Sequence, residues 1–133
     1  MLVIVISDQT SVHFFKETVQ RLRPCHEPAL EGLVRLNDGK CGGQYGFVSS
    51  HAVNSFALAV FVGFFLNRKI RHFLVIMLAW AAVVSYSRIY NGVHYPLDVL
   101  CGAAWGSLLA AGMIVWAKNL VPNSRKPGPP SFR

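Results

Sequence analysis

Charge is scarce in this chain. Only 14% of its 133 residues are charged and only six are acidic, against about 25% charged residues in a typical soluble domain. That shortage argues against an ordinary soluble enzyme, and 53% hydrophobic residues argue against a disordered chain. Cysteine is also sparse: three residues are too few to staple a mini-domain. There is no Gly-x-Ser-x-Gly elbow of a serine hydrolase, no Cys/His cluster with zinc spacing and no internal repeat. The apolar start, Met1–Ile6, is far too short to cross a bilayer, and it lacks the basic flank and cleavage site of a signal peptide. What is left at this length is one domain, either a membrane protein or a very apolar helical bundle.

The formal net charge is +7, and its placement says more than its size. The excess sits in Arg68, Lys69 and Arg71, and in a tail with Lys118, Arg125, Lys126 and Arg133. Elsewhere the signs cancel; Arg88, for one, offsets Asp98. Bases confined to a short turn and a tail follow the positive-inside pattern of a membrane protein rather than a nucleic-acid surface, so no nucleic-acid partner is expected.

Three apolar runs cover residues 52–66, 73–84 and 97–117. The third has spanning length; the first two reach it only with flanks such as 47–51 and 85–90. Small residues between 102 and 112 suit close helix packing in lipid. Residues 10–46 read as a long polar loop with some helix near 11–22, and the Pro/Gly/Ser-rich tail reads as disordered. Placing both basic clusters on the cytoplasmic side puts residues 10–51 and 87–96 together on the outer face.

Chemistry-bearing residues gather on that face in three clusters. They are Lys16 with Arg23-Pro24, then Ser49-Ser50-His51, then Ser87-Arg88 with His94 and Asp98. Fixed cations, two histidines and a carboxylate suit a phosphate group: arginine binds its oxygens through a planar fork, and lysine adds a point charge. The hydroxyls of Ser49 and Ser50 and the free N–H groups of a helix start hold an anion. Four residues separate His94 from Asp98, so a helix starting near Pro96 brings the carboxylate to the histidine and orients it. His51 then serves as the proton donor to a leaving oxygen. Taken singly, each cluster has a plainer reading, as solvated loop charges, a helix cap or a structural hydrogen bond. Their order and their meeting on one face favour the phosphate reading.

In these residues the chain resembles the type 2 phosphatidic acid phosphatase/haloperoxidase superfamily, specifically its integral-membrane lipid phosphatases. The family's first motif, Lys, six residues, Arg-Pro, is matched by Lys16 and Arg23-Pro24. Its third, Ser-Arg, five residues, His, three residues, Asp, is matched by Ser87-Arg88, His94 and Asp98. Its second, Pro-Ser-Gly-His, reads Val48-Ser49-Ser50-His51 here. The resemblance implies an all-α membrane helical bundle, the C-terminal half of a six-helix phosphatase core, with the start of the chain in the end of the third helix. Its domain is expected over residues 1–120, with a disordered basic tail at 121–133. It implies His94 as a nucleophile forming a phosphohistidine, Asp98 orienting it, and His51 as the general acid. Lys16, Arg23, Ser49, Ser50 and Arg88 would bind phosphate.

Neither metal nor other cofactor is implied. The expected partners are the membrane and a lipid phosphate or diphosphate, such as undecaprenyl diphosphate or phosphatidic acid. The expected setting is a bacterial inner membrane with the site facing the periplasm. Two other readings share the motifs: a non-catalytic membrane fragment of such an enzyme, and a soluble acid phosphatase of the same superfamily, which the hydropathy opposes. An oxidising periplasm would permit a Cys25–Cys41 disulfide, the alternative being two free thiols.

Overall fold

The computed structural model describes residues 2–10, 15, 17–36 and 39–120. Helix α1 (Leu2–Thr10) leads into an irregular stretch holding one helical turn, α2 (Glu17–Val19), and two 3-10 turns, Pro24–His26 and Pro28–Leu30. Three long helices follow: α3 (Ser50–Leu66), α4 (Phe73–Tyr90) and α5 (Pro96–Leu120). Among the described residues the extended backbone meets in one isolated antiparallel bridge, Leu22 with Tyr45. The chain has an all-α membrane helical fold, and α4 and α5 are each long and apolar enough to cross a bilayer.

All three long helices extend beyond the apolar runs. Their ends are polar, so hydropathy alone does not mark them. Proline at the first position starts α5, where its missing N–H costs no hydrogen bond. Of the helix expected near 11–22, the described residues keep only α2. Gln20 turns the chain with φ 48°, and Arg23, restricted by the proline after it, is extended at φ −70° and ψ 154°. Residues 11–14, Lys16 and the expected disordered tail lie outside the described residues.

Helix α3 is the centre of the bundle, packed on α5, α4 and α1. Its buried face, with Ala52, Val53, Ala57 and Ala59, carries little bulk. Opposite it, α5 presents Gly102, Gly106 and Ala110, one helical turn apart. A Cβ on Gly102 would stand 2.9 Å from the Ser49 carbonyl oxygen, and one on Gly106 would strike the Val53 carbonyl. Backbones that approach this closely gain dispersion and Cα–H···O contacts, which drive helix association where lipid tails remove the hydrophobic force. Polar contacts hold α1: Ser7 donates to Asn54 of α3, and Trp105 Nε1 of α5 donates to Thr10 Oγ1 at 3.2 Å. Val75, Ile76, Val83, Leu100, Leu108 and Val115 stay exposed on the outer faces of α4 and α5, the surface that lipid covers.

The basic turn with Arg68, Lys69 and Arg71 joins α3 to α4 at one end of the bundle. The start of α3, the end of α4 and the start of α5 all lie at the other.

Gly106→Val is expected to lower the melting temperature in detergent, by overpacking worth about 1–3 kcal/mol. Gly112→Val, where an added Cβ meets nothing within 4 Å, should leave it unchanged. Equal effects from both would remove the close α3–α5 approach as the packing determinant.

Candidate active site

The chain turns from α4 into α5 within five residues. Asn91 caps α4, and Gly92 takes φ 66°, a left-handed conformation that suits glycine. Arg88 lies in the last turn of α4, His94 just ahead of α5 and Asp98 in its first turn. Asp98 Oδ2 accepts the Tyr95 backbone N–H at 2.9 Å, the reach-back half of a capping box. His94, only 4% exposed, sets Nδ1 at 3.7 Å from the same Oδ2.

A second wall comes from the long loop. Segments 21–23 and 44–46 run antiparallel, Arg23 N donating to Gln44 O at 3.1 Å and Gly46 N to Arg21 O at 2.9 Å. Arg23 then donates through Nη1 to Cys41 O at 3.1 Å and through Nε to Tyr45 O at 3.3 Å. Burial lowers its pKa, an effect that the nearby Asp98 charge opposes; an arginine so placed stays cationic at neutral pH. A Cβ on Gly46 would stand 2.9 Å from Arg23 Cγ and 3.6 Å from Asp98 Oδ2, so the loop backbone fits tightly between them. Cys25 and Cys41 are joined by a disulfide with their Cα atoms 6.0 Å apart.

These walls enclose an open cavity of about 470 Å³. Ser50 and His51 face it from α3, Arg88 from the end of α4, His94 from the α4–α5 turn, Arg23 and Lys40 from the loop, and Asp8 from α1. Fixed cations outnumber the one carboxylate. Arg88 Nε, His94 Nδ1 and Ser49 Oγ are buried without a hydrogen-bond partner among the described residues. His94 Nδ1 is turned to Asp98, and of these residues Arg88 lines the cavity with an unpaired donor, which suits a tetrahedral oxyanion. Among the described residues no group of three His, Cys, Asp or Glu side chains is placed to hold a metal.

Of the residues singled out from the sequence, Arg23, Ser50, His51, Arg88 and His94 meet at this cavity. Asp98 is wholly buried beside His94. Ser49 is also buried, as the α3 N-cap, and its N–H donates to Asp98 O at 3.0 Å. Lys16 lies outside the described residues. The structure pairs Asp98 with Arg21, Nη1 to Oδ1 at 3.2 Å. Sequence reasoning passed over Arg21, although its alternation with Arg23 across Leu22 marks two side chains on one side of an extended segment. Lys40 and Asp8 carry no comparable local signal; the fold alone brings them in.

Comparison with known proteins gives the family. The family model of the PAP2 superfamily matches residues 1–122, and the chain belongs to that superfamily. It is 39% identical over 127 residues to a lipid A 4'-phosphatase of Porphyromonas gingivalis, covering 94% of this chain and 51% of that protein. It is 42% identical over 107 residues to a lipid A 4'-phosphatase of Bacteroides thetaiotaomicron, covering 79% and 46%. To phosphatidylglycerophosphatase B of Bacillus subtilis it is 28% identical over 116 residues, covering 82% and 52%. The chain thus spans about half the length of these curated relatives. No solved structure matches it significantly.

Thiol titration of the unfolded, unreduced protein should find one group, Cys101, and reduction should expose three. Replacing Cys25 and Cys41 by serine should cost about 3 kcal/mol, the usual figure for a closed loop of some 15 residues. Three thiols before reduction would exclude the bridge.

Proposed function

We propose that the chain is the catalytic part of a membrane phosphatase that hydrolyses a lipid phosphate or diphosphate through a phosphohistidine. The observation that carries this reading is the convergence of Arg23, Ser50, Arg88, His51 and His94 on one cationic cavity at one end of the bundle. The named activities of the relatives support the substrate class. A phosphorylated glycolipid of the lipid A kind is the first to try, followed by phosphatidylglycerophosphate, phosphatidic acid and undecaprenyl diphosphate.

In this mechanism Arg23, Arg88 and the Ser50 backbone bind the non-bridging oxygens, with Lys16 and Ser49 as further ligands. They neutralise the charge that spreads over the transferring group. Asp98 accepts from His94 Nδ1–H, which keeps the lone pair on Nε2. The 3.7 Å separation closes to about 3 Å in a formed hydrogen bond. Nε2 attacks phosphorus as the bond to the lipid oxygen breaks, and His51 protonates that oxygen. Water then attacks the phosphohistidine while His51 takes its proton. The Nε2–P bond breaks, inorganic phosphate leaves and His94 is restored. Since side chains supply the positive charge, no metal takes part. The basic 67–71 turn at the opposite end of the helices supports a cavity facing outward from a bacterial inner membrane.

The test is phosphate release by detergent-solubilised protein in EDTA, across those four lipids. Wild type should be active, His94→Ala inactive, and His51→Ala slower by about 10²–10⁴. A brief exposure to labelled substrate should give an acid-labile phosphoprotein that His94→Ala lacks. Activity retained in His94→Ala, or abolished by EDTA, would overturn the mechanism.

A further inference from the structure

We infer that Arg21 is a positioning residue of the site, fixing the Asp98 carboxylate so that it holds His94 in its reactive tautomer. This rests on the hydrolytic reading above and deepens it.

Asp98 is wholly buried, while the Arg21 side chain is 35% exposed. A charge removed from water has to be matched inside the protein. Among the described residues, Arg21 Nη1 is the cation that reaches it, at 3.2 Å from Oδ1. The other oxygen, Oδ2, accepts the Tyr95 N–H and faces His94. The carboxylate is therefore pinned at both oxygens, which sets its plane relative to the imidazole. Arg21 also lies 4.2 Å from the centre of the Tyr95 ring, stacked on the residue that follows His94. One guanidinium thus touches the orienting carboxylate and the backbone neighbour of the oriented histidine.

The sequence prepares this contact. Arg21 sits in the extended segment clamped by the hydrogen bond from Gly46 N to Arg21 O. Two positions on, Arg23 lines the cavity wall, whereas Arg21 stands outside it. The pair divides the labour: one guanidinium faces the anion site, the other the carboxylate behind the histidine. Arg21 does not reach the cavity, so its loss should act on turnover rather than on substrate binding.

The experiment compares wild type, Arg21→Met and Arg21→Lys in detergent, by kcat and KM and by the ring-nitrogen spectrum of ¹⁵N-histidine-labelled protein. The His94 signals are assigned with His94→Gln. At metal sites, loss of an outer partner of a ligating histidine typically costs about 10–100-fold in activity, and a loss of that order is the scale used for this oriented histidine. That fall in kcat is expected for Arg21→Met, with KM little changed, partial recovery in Arg21→Lys, and His94 moving from one tautomer to a mixture. Unchanged kcat and spectrum would overturn the inference. So would a rise in KM alone, which would make Arg21 a substrate ligand, or a fall in kcat with an unchanged spectrum, which would leave it a structural residue. Should Arg21→Met not fold, Arg21→Lys decides: it keeps the charge but not the planar fork, and an unaltered His94 spectrum there counts against positioning. An inactive wild type would overturn the hydrolytic reading alone, and the spectrum would still decide Arg21.

Discussion

The buried carboxylate of Asp98 is the constraint on which the site depends. An ionised carboxylate without exposure is costly unless its oxygens are satisfied. Here the solution draws on α5, the loop and α3. Oδ2 caps the first turn of α5 through the Tyr95 N–H, Oδ1 meets Arg21 of the loop, and the Asp98 carbonyl accepts the Ser49 N–H at the start of α3. A negative charge in the first turn of a helix also gains from the helix dipole. The interactions that make this burial tolerable are the same ones that bring α3, α5 and the loop to one point. Structural necessity and the placement of His94 are a single arrangement.

Helix packing sets how closely those parts approach. Gly102 lies one turn beyond Asp98 and meets the Ser49 carbonyl, so the smallest residue of α5 stands where α3 begins. A bulkier side chain there would push Ser49, Ser50 and His51 away from His94. The small-residue stripe thus does two things: it holds the bundle together in lipid, and it sets the spacing between the two histidine-bearing ends. The same logic extends to Gly46, whose bare backbone lets the loop lie against Arg23 and Asp98 together.

Much of this was legible in the sequence, because its strongest signals are local. The apolar runs place the bodies of α3, α4 and α5 but not their polar ends, and the spacing of His94, Pro96 and Asp98 foreshadows a capped helix start with the carboxylate beside the histidine. What escaped is non-local. Arg21 meets Asp98 through a loop that doubles back from Arg21–Arg23 to Gln44–Gly46, a contact without periodicity. Lys40 and Asp8 reach the cavity for a similar reason. The helix expected near 11–22 yields at Arg21–Arg23 to extended backbone, because Pro24 and the pairing with 44–46 outweigh helix propensity there.

On the proposed reading, the position of the cavity at the helix ends suits the electrostatics of a lipid phosphate. A phosphate buried in the hydrocarbon layer would pay a large desolvation cost, and so would the arginines that bind it. At the ends of α3, α4 and α5 the headgroup of a lipid already sits at the right depth, and a partly exposed guanidinium keeps some of its hydration. His94 and Asp98 are the exceptions, both withdrawn from solvent. Withdrawal would strengthen the hydrogen bond that the proposed mechanism closes between them, and it shields the imidazole from competing water. The site therefore joins two environments a few ångströms apart: a wet, cationic mouth that receives the anion, and a dry base that holds the histidine.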